Sequence, residues 1–217
     1  MNNPIRFIDP DGMNVDNYDI YPDGSIKVER TSDKTNTYTY HKEDGTTVDL
    51  GTYEVTNNAK GQDMVKMDSK GTTYEQVSGK EKNYLPEDAA AGFLGATQNY
   101  MDETGYKTKV NQFMTSNMVH SGKEKTKACI DIQYIATEGT AWKTQPETTN
   151  GNVDASKSLE YGKKFITYGW GDDTKWSIIT ESKDNKSLFS DYATVSGHQN
   201  HIHIQGFHSN KVKDEKK

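Results

Sequence analysis

The chain has 217 residues, 31% of them hydrophobic, with a formal net charge of -6 at neutral pH. That length allows one ordinary domain or two small ones. The 13 tyrosines argue against general disorder, and an acidic chain whose only arginines are Arg6 and Arg30 offers no electrostatic footprint for nucleic acid. The single cysteine, Cys129, excludes an internal disulfide and a cysteine-rich zinc site, and no apolar run reaches the roughly 18 residues that read as a membrane span.

Residues 1–14 form a turn-rich junction centred on Asp9-Pro10-Asp11-Gly12. This stretch, MNNPIRFIDPDG, lacks the apolar h-region of a signal peptide. Residues 15–82 alternate strand and turn signals. Tyr18-Asp19-Ile20-Tyr21 and Ile26-Lys27-Val28-Glu29 flank a Pro22-Asp23-Gly24 turn. Thr37–His41 and Thr46–Leu50 flank a Glu43-Asp44-Gly45 turn. The spacing predicts a β-meander serving as a linker or adaptor, with His41 a lone solvent-facing histidine. Residues 81–84 read as a polar connection.

From 83 to 217 the pattern becomes α+β: a small antiparallel sheet with flanking helices. Pro86-Glu87-Asp88 opens a helix through Tyr100, since proline suits the first turn and acids complement the helix dipole. A second helix runs from Asp154, as N-cap, to Tyr168, with Gly169 as its stop. Strands are expected at Ala128–Ile135, Trp176–Thr180 and His201–Gln205. Cys129 reads as a buried core thiol, Trp170 and Trp176 as core by default, His208 as exposed, and Lys123, Lys125 and Lys127 as a solvated loop.

The chemistry concentrates in His198-Gln199-Asn200-His201-Ile202-His203-Ile204. In a strand His201 and His203 share one face, and neutral imidazole is a preferred zinc donor. Upstream, Asp131 interrupts the apolar run Ala128-Cys129-Ile130-Asp131-Ile132, where a carboxylate needs a partner. His120 completes a set. His120, Asp131 and His203 as three protein ligands, with a fourth position left to water, would match the catalytic rather than the structural zinc pattern. Such a site suits peptide hydrolysis.

Two stretches resemble known families. NNPIRFIDPDGM resembles the end of the core of Rhs-repeat proteins, the secreted shells of polymorphic toxins, in which a DPxG motif precedes release of a C-terminal toxin. The resemblance implies a release motif at Asp9, Pro10, Gly12 and Met13, with Asp9 as one of two protease carboxylates. It also implies the Rhs shell of a longer parent chain, a cognate immunity protein, and delivery as a secreted effector to the periplasm or cell wall of a target bacterium. Residues 110–207, with the order His…Asp…HxH, resemble zinc peptidases that cleave peptidoglycan peptides, among them the D-alanyl-D-alanine carboxypeptidases and the penicillin-insensitive murein endopeptidase. That resemblance implies Zn2+ on His120, Asp131 and His203. It gives His201 a role steadying the water or developing oxyanion, and His198 a supporting role in the pocket. The interval between His120 and Asp131, which holds the lysine-rich GKEKTK, is longer than the family's HxxGxAxD pattern, and Asn200 stands where some relatives carry an acid.

The sequence thus leads to a zinc peptidase toxin acting on peptidoglycan stem peptides, without nucleic-acid binding or membrane insertion. A metal-dependent nuclease toxin of the same delivery system and a non-enzymatic binding module are the competing readings. The division expected is 1–14 junction, 15–82 β-rich adaptor and 83–217 peptidase-like domain.

Overall fold

A computed structural model describes residues 16–30, 35–79, 81–120, 123–137, 152–171, 178–180, 193–194 and 197–215. Alternation builds its first sheet. In Asp16–Ile20 (β1), Ile26–Glu29 (β2) and Thr35–His41 (β3), every second side chain is buried, the period of a strand with one covered face. Tyr18, Ile20, Ile26, Val28, Tyr38 and Tyr40 supply that face. Thr47–Asn57 (β4), Asp63–Lys66 (β5) and Tyr84–Pro86 (β7) extend the sheet, and Val212–Asp214 (β15), the last strand, closes its other edge in the order β15-β2-β1-β3-β4-β5-β7.

This is not the meander that spacing predicted. β1 pairs antiparallel with β2 but parallel with β3, so the chain crosses from one side of β1 to the other. Turn spacing sets strand length and cannot report which neighbour a strand pairs with. Residues 81–84 are likewise not a free connection: Tyr84 starts β7, and its backbone exchanges two hydrogen bonds with Met114.

The second sheet has the order β13-β12-β14-β11-β8-β6. Its strands are Tyr74–Gln76 (β6), Thr108–Gln112 (β8), Cys129–Ile132 (β11), Ile178–Thr180 (β12), Ala193–Thr194 (β13) and Ile202–Gln205 (β14). Its centre is antiparallel, as expected, but β6 runs parallel to β8 and β13 parallel to β12. A two-stranded ladder of Val119–His120 (β9) and Lys123–Glu124 (β10) stands where the sequence suggested a lysine-rich loop. Among the described residues strands predominate over two helices, which accords with the α+β class in a sheet-rich, mixed form.

The first helix, Glu87–Thr104 (α1), is the centrepiece. Every residue from Ala89 to Gln98 is buried. Its small side chains allow close approach: a Cβ on Gly92 would lie 2.5 Å from the Tyr168 carbonyl oxygen, and one on Gly95 2.7 Å from Ile20. Gly105, in the left-handed region at φ 74°, ends the helix one turn later than Tyr100. The second helix, Ala155–Thr167 (α2), is capped by Asp154, whose carboxylate accepts from the Lys157 N–H at 3.0 Å. It buries Ser158, Tyr161, Gly162 and Phe165, a helical stripe, against α1 and the second sheet.

One hydrophobic cluster runs from Tyr18 in β1 through α1 to Ile204 in β14. The boundary at 82/83 therefore does not separate two cores. Aromatic edges lock its middle: Tyr74, Phe93 and Phe113 meet pairwise with centroids 5.1–5.8 Å apart, each pair worth about 0.5–1.5 kcal/mol beyond burial. Arg30 ties the first sheet to α1, bonding Asp88 at 2.7 Å, Asp214 at 3.2 Å, Glu87 and the Tyr18 hydroxyl.

Candidate metal centre

β11 has all four side chains buried because it is covered on both faces. Ile130 and Ile132 point into the main core, and β14 matches them with Ile202 and Ile204. The alternate positions turn to the opposite face. There Cys129 joins Met64, Met114 and Met118 in a smaller apolar cluster. Asp131 stands directly opposite His203 on β14 and, on its other side, opposite Gln112 on β8. Cross-strand register therefore sets a row Gln112–Asp131–His203. His120, at the end of β9, comes over the same face.

The three residues named from sequence meet. His120, Asp131 and His203 are 0, 3 and 5% exposed, too deep for bulk water to neutralise a charge. Asp131 Oδ1 lies 2.7 Å from His203 Nδ1 and 3.2 Å from His120 Nε2. One ligand atom from each residue falls within 4.8 Å of the others, a group that can hold a metal ion. With zinc–ligand bonds of about 2.0–2.1 Å, the edge of a tetrahedron is about 3.3–3.4 Å, close to the His120–Asp131 spacing.

Tautomers sharpen the point. His120 Nδ1 is 3.0 Å from the Phe113 carbonyl oxygen. A carbonyl only accepts, so Nδ1 carries a hydrogen and Nε2 is the nitrogen left facing the Asp131 carboxylate. A positive centre between Nε2 and the carboxylate, a proton or a metal ion, satisfies both groups at once. Burial alone would raise the Asp131 pKa; hydrogen bonds from His120 and His203 outweigh it and hold the carboxyl well below the usual range, so Asp131 is anionic.

His201 and His203 do share a face. His201 Nε2 lies 3.8 Å from Asp131 Oδ1. Its Nδ1 is 2.7 Å from Asn200 Oδ1, which fixes the hydrogen on Nδ1 and leaves Nε2 as an acceptor turned towards the group. Burial and the neighbouring imidazoles, against the pull of Asp131, lower its pKa to about 4. The ring is neutral at pH 7. His198 packs 4.8 Å from His201 and 5.7 Å from His203 by ring centroids, and Tyr134 donates to its carbonyl at 2.9 Å.

The sequence reading missed Gln112. Its amide donates to Asp131 Oδ2 at 2.6 Å, and Lys82 donates to Gln112 Oε1 at 2.9 Å. A polar residue ending the Thr-Lys-Val-Asn-Gln run was the available signal, but β8 itself went unassigned. Elsewhere, His41 is not simply solvent-facing: it is half-buried, 2.6 Å from Asp19 and stacked on Tyr21. Trp170 and Cys129 are core residues. Lys127 is exposed, as a solvated residue should be, and Lys125 is partly covered. His208 is half-buried at the rim of a separate cavity. That cavity, about 500 Å³, also takes in Asp63, Glu87, Met118, Ala128 and Phe207. It lies at the far end of the β11–β14 pair, where the Gly206 N–H bonds the Ala128 carbonyl, and none of the clustered histidines lines it. Asp9, Pro10, Gly12, Met13 and Trp176 lie outside the described residues.

No family model matches the chain, and no curated protein or solved structure matches it.

Proposed function

We propose that the chain is a zinc-dependent peptidase that hydrolyses peptide bonds of peptidoglycan stems, carried as the C-terminal part of an Rhs-type effector. The observation that carries the reading is the buried convergence of His120 Nε2, Asp131 Oδ1 and a His203 imidazole nitrogen. Two imidazoles and one carboxylate are a zinc donor set, and three protein ligands leave a fourth position for chemistry. Held there, zinc supplies Lewis acidity towards a carbonyl and lowers the pKa of water to about 7.

The remaining residues divide the work. His201, neutral and with Nε2 free to accept, takes a proton from the attacking water and returns it to the leaving amine. His198, held by its backbone to Tyr134, walls the same side and keeps the His201 ring in place. Asp131 stays anionic throughout. The order His…Asp…HxH and the sheet that carries Asp131 opposite His203 support kinship of mechanism with the peptidoglycan peptidases. The DPxG wording of residues 9–12 supports release from a shell, a paired immunity protein, and action in the periplasm or wall of a target cell.

Purified chain incubated with cell-wall sacculi, followed by mass analysis of the fragments, tests the substrate. Cleaved stems or cross-links that vanish in His203→Ala and Asp131→Ala support the reading. Intact sacculi together with degraded DNA or RNA would transfer the site to phosphodiester chemistry. Zinc content unchanged in both variants would remove the ligand assignment.

A further inference from the structure

We infer that Gln112 is a positioning residue that makes Asp131 a single-oxygen ligand, and that Lys82 locks the Gln112 amide in the one orientation that does so. The inference rests on the metal reading above.

The two carboxylate oxygens of Asp131 have different neighbours. Oδ1 faces His203 at 2.7 Å and His120 at 3.2 Å. Oδ2 takes the Gln112 amide hydrogen at 2.6 Å. A carboxylate whose second oxygen is engaged by an N–H offers one oxygen to a cation, and cannot swing to offer both. Outer partners of this kind orient ligands and set metal affinity.

A glutamine can turn its amide over. Reversed, Oε1 would face Asp131 Oδ2, acceptor against acceptor. Lys82 prevents this. Its ammonium has only donors, and it lies 2.9 Å from Gln112 Oε1. Lys82 is itself pinned: its carbonyl accepts from the Phe113 N–H at 3.1 Å and from Gln76 Nε2 at 3.0 Å. The segment before β7 and the end of β8 are thereby fixed together. A line of donors thus runs Lys82 to Gln112 to Asp131, from the half-buried surface to the buried group. Gln112 Nε2 also lies 3.4 Å from His120 Nε2, so a misplaced amide would disturb a second ligand atom.

The test uses the full chain, stripped with a chelator and titrated with Zn2+ against a chromophoric competitor. Gln112→Leu is expected to weaken zinc binding roughly 10–100-fold, and Lys82→Met to weaken it in the same direction by less. Lys82→Arg, which restores a donor, is expected to recover wild-type affinity. Cobalt substitution adds a readout that mere loss of stability leaves alone. Freed from Gln112, Asp131 binds through both oxygens, and the rise in coordination number lowers the visible absorption. Should Gln112→Leu fail to fold, the two Lys82 variants decide the matter, because that side chain is only half-buried. Zinc bound equally by wild type, Gln112→Leu and Lys82→Met, with the same cobalt spectrum, overturns this inference alone. Zinc that fails to bind the wild-type chain overturns the metal centre and this inference with it.

Discussion

Replacing Asp131 with asparagine changes charge at nearly constant shape, and two effects follow that separate cleanly. The first needs no metal. Asp131 accepts charge-assisted hydrogen bonds from Gln112 at 2.6 Å and His203 at 2.7 Å. Hydrogen bonds to a charged group contribute about 1.5–3 kcal/mol each and neutral ones about 0.5–1.5. Asparagine keeps one acceptor for the Gln112 amide and turns its NH2 to His203, which accepts it in its other tautomer, so neutralising the carboxyl removes about 1 kcal/mol per bond, or about 2 kcal/mol in total. The second effect is linkage. A ligand present at 1,000 times its Kd stabilises the folded chain by about 4 kcal/mol. Urea unfolding in chelator should thus place Asp131→Asn about 2 kcal/mol below wild type. With zinc in excess the gap should widen to about 6 kcal/mol, because wild type gains the linkage energy and the variant does not. Equal stabilisation of both proteins by zinc, or none of either, would refute the reasoning.

Glu87 offers a test of the first sheet. Burial, outweighing the adjacent Arg30, raises its pKa from 4.5 to about 6. The folded state therefore favours the neutral carboxyl, a contribution fully present below pH 4.5 and lost as pH rises through 6. Glu87→Gln should gain about 2 kcal/mol relative to wild type between pH 4.5 and 7 in paired urea titrations, and parallel pH profiles would contradict this. Burial pushes the Cys129 thiol up to about 12. The native chain should leave a thiol reagent unreacted at pH 8 and consume one equivalent after unfolding; rapid native labelling would show the β11 face to be open. Gly24 sits at φ +82°, and a Cβ there would lie 2.2 Å from the Thr167 carbonyl oxygen. Gly24→Ala should cost about 2–5 kcal/mol, the sum of left-handed strain and overpacking, read as a fall in the thermal midpoint.

What could be read from the residues was whatever local pattern dictates. Isoleucines alternating with Asp131 and His203 announced two strands with one dry face, and the charge in that dry setting announced a partner. Asp154 before the second helix and Gly169 after it are local signals of the same kind, whereas the stop at Gly105 was not read and the first helix was expected to end at Tyr100. Pairing is different. Nothing in Tyr18–Ile20 says that β1 lies parallel to β3, since a parallel neighbour depends on a crossover rather than on a turn. Gln112 escaped for the same reason. Its significance comes from lying opposite Asp131 across two strands, which only register can reveal. His120 was found by residue type, although the ladder that carries it over the site was not, because two-residue strands leave no periodicity.

The parallel pairing of β15 with β2 joins residues 212–214 to residues 26–28. A ribosome adding about 5–20 residues per second needs roughly 10–40 s to travel from one to the other. During that interval the outer edge of β2 offers unpaired N–H and C=O groups. The same strand end carries Arg30, whose Asp214 partner also arrives last. The nascent chain is therefore exposed to edge-to-edge association until β15 emerges. A truncation just beyond Phe207 would keep every candidate ligand and still make that exposure permanent.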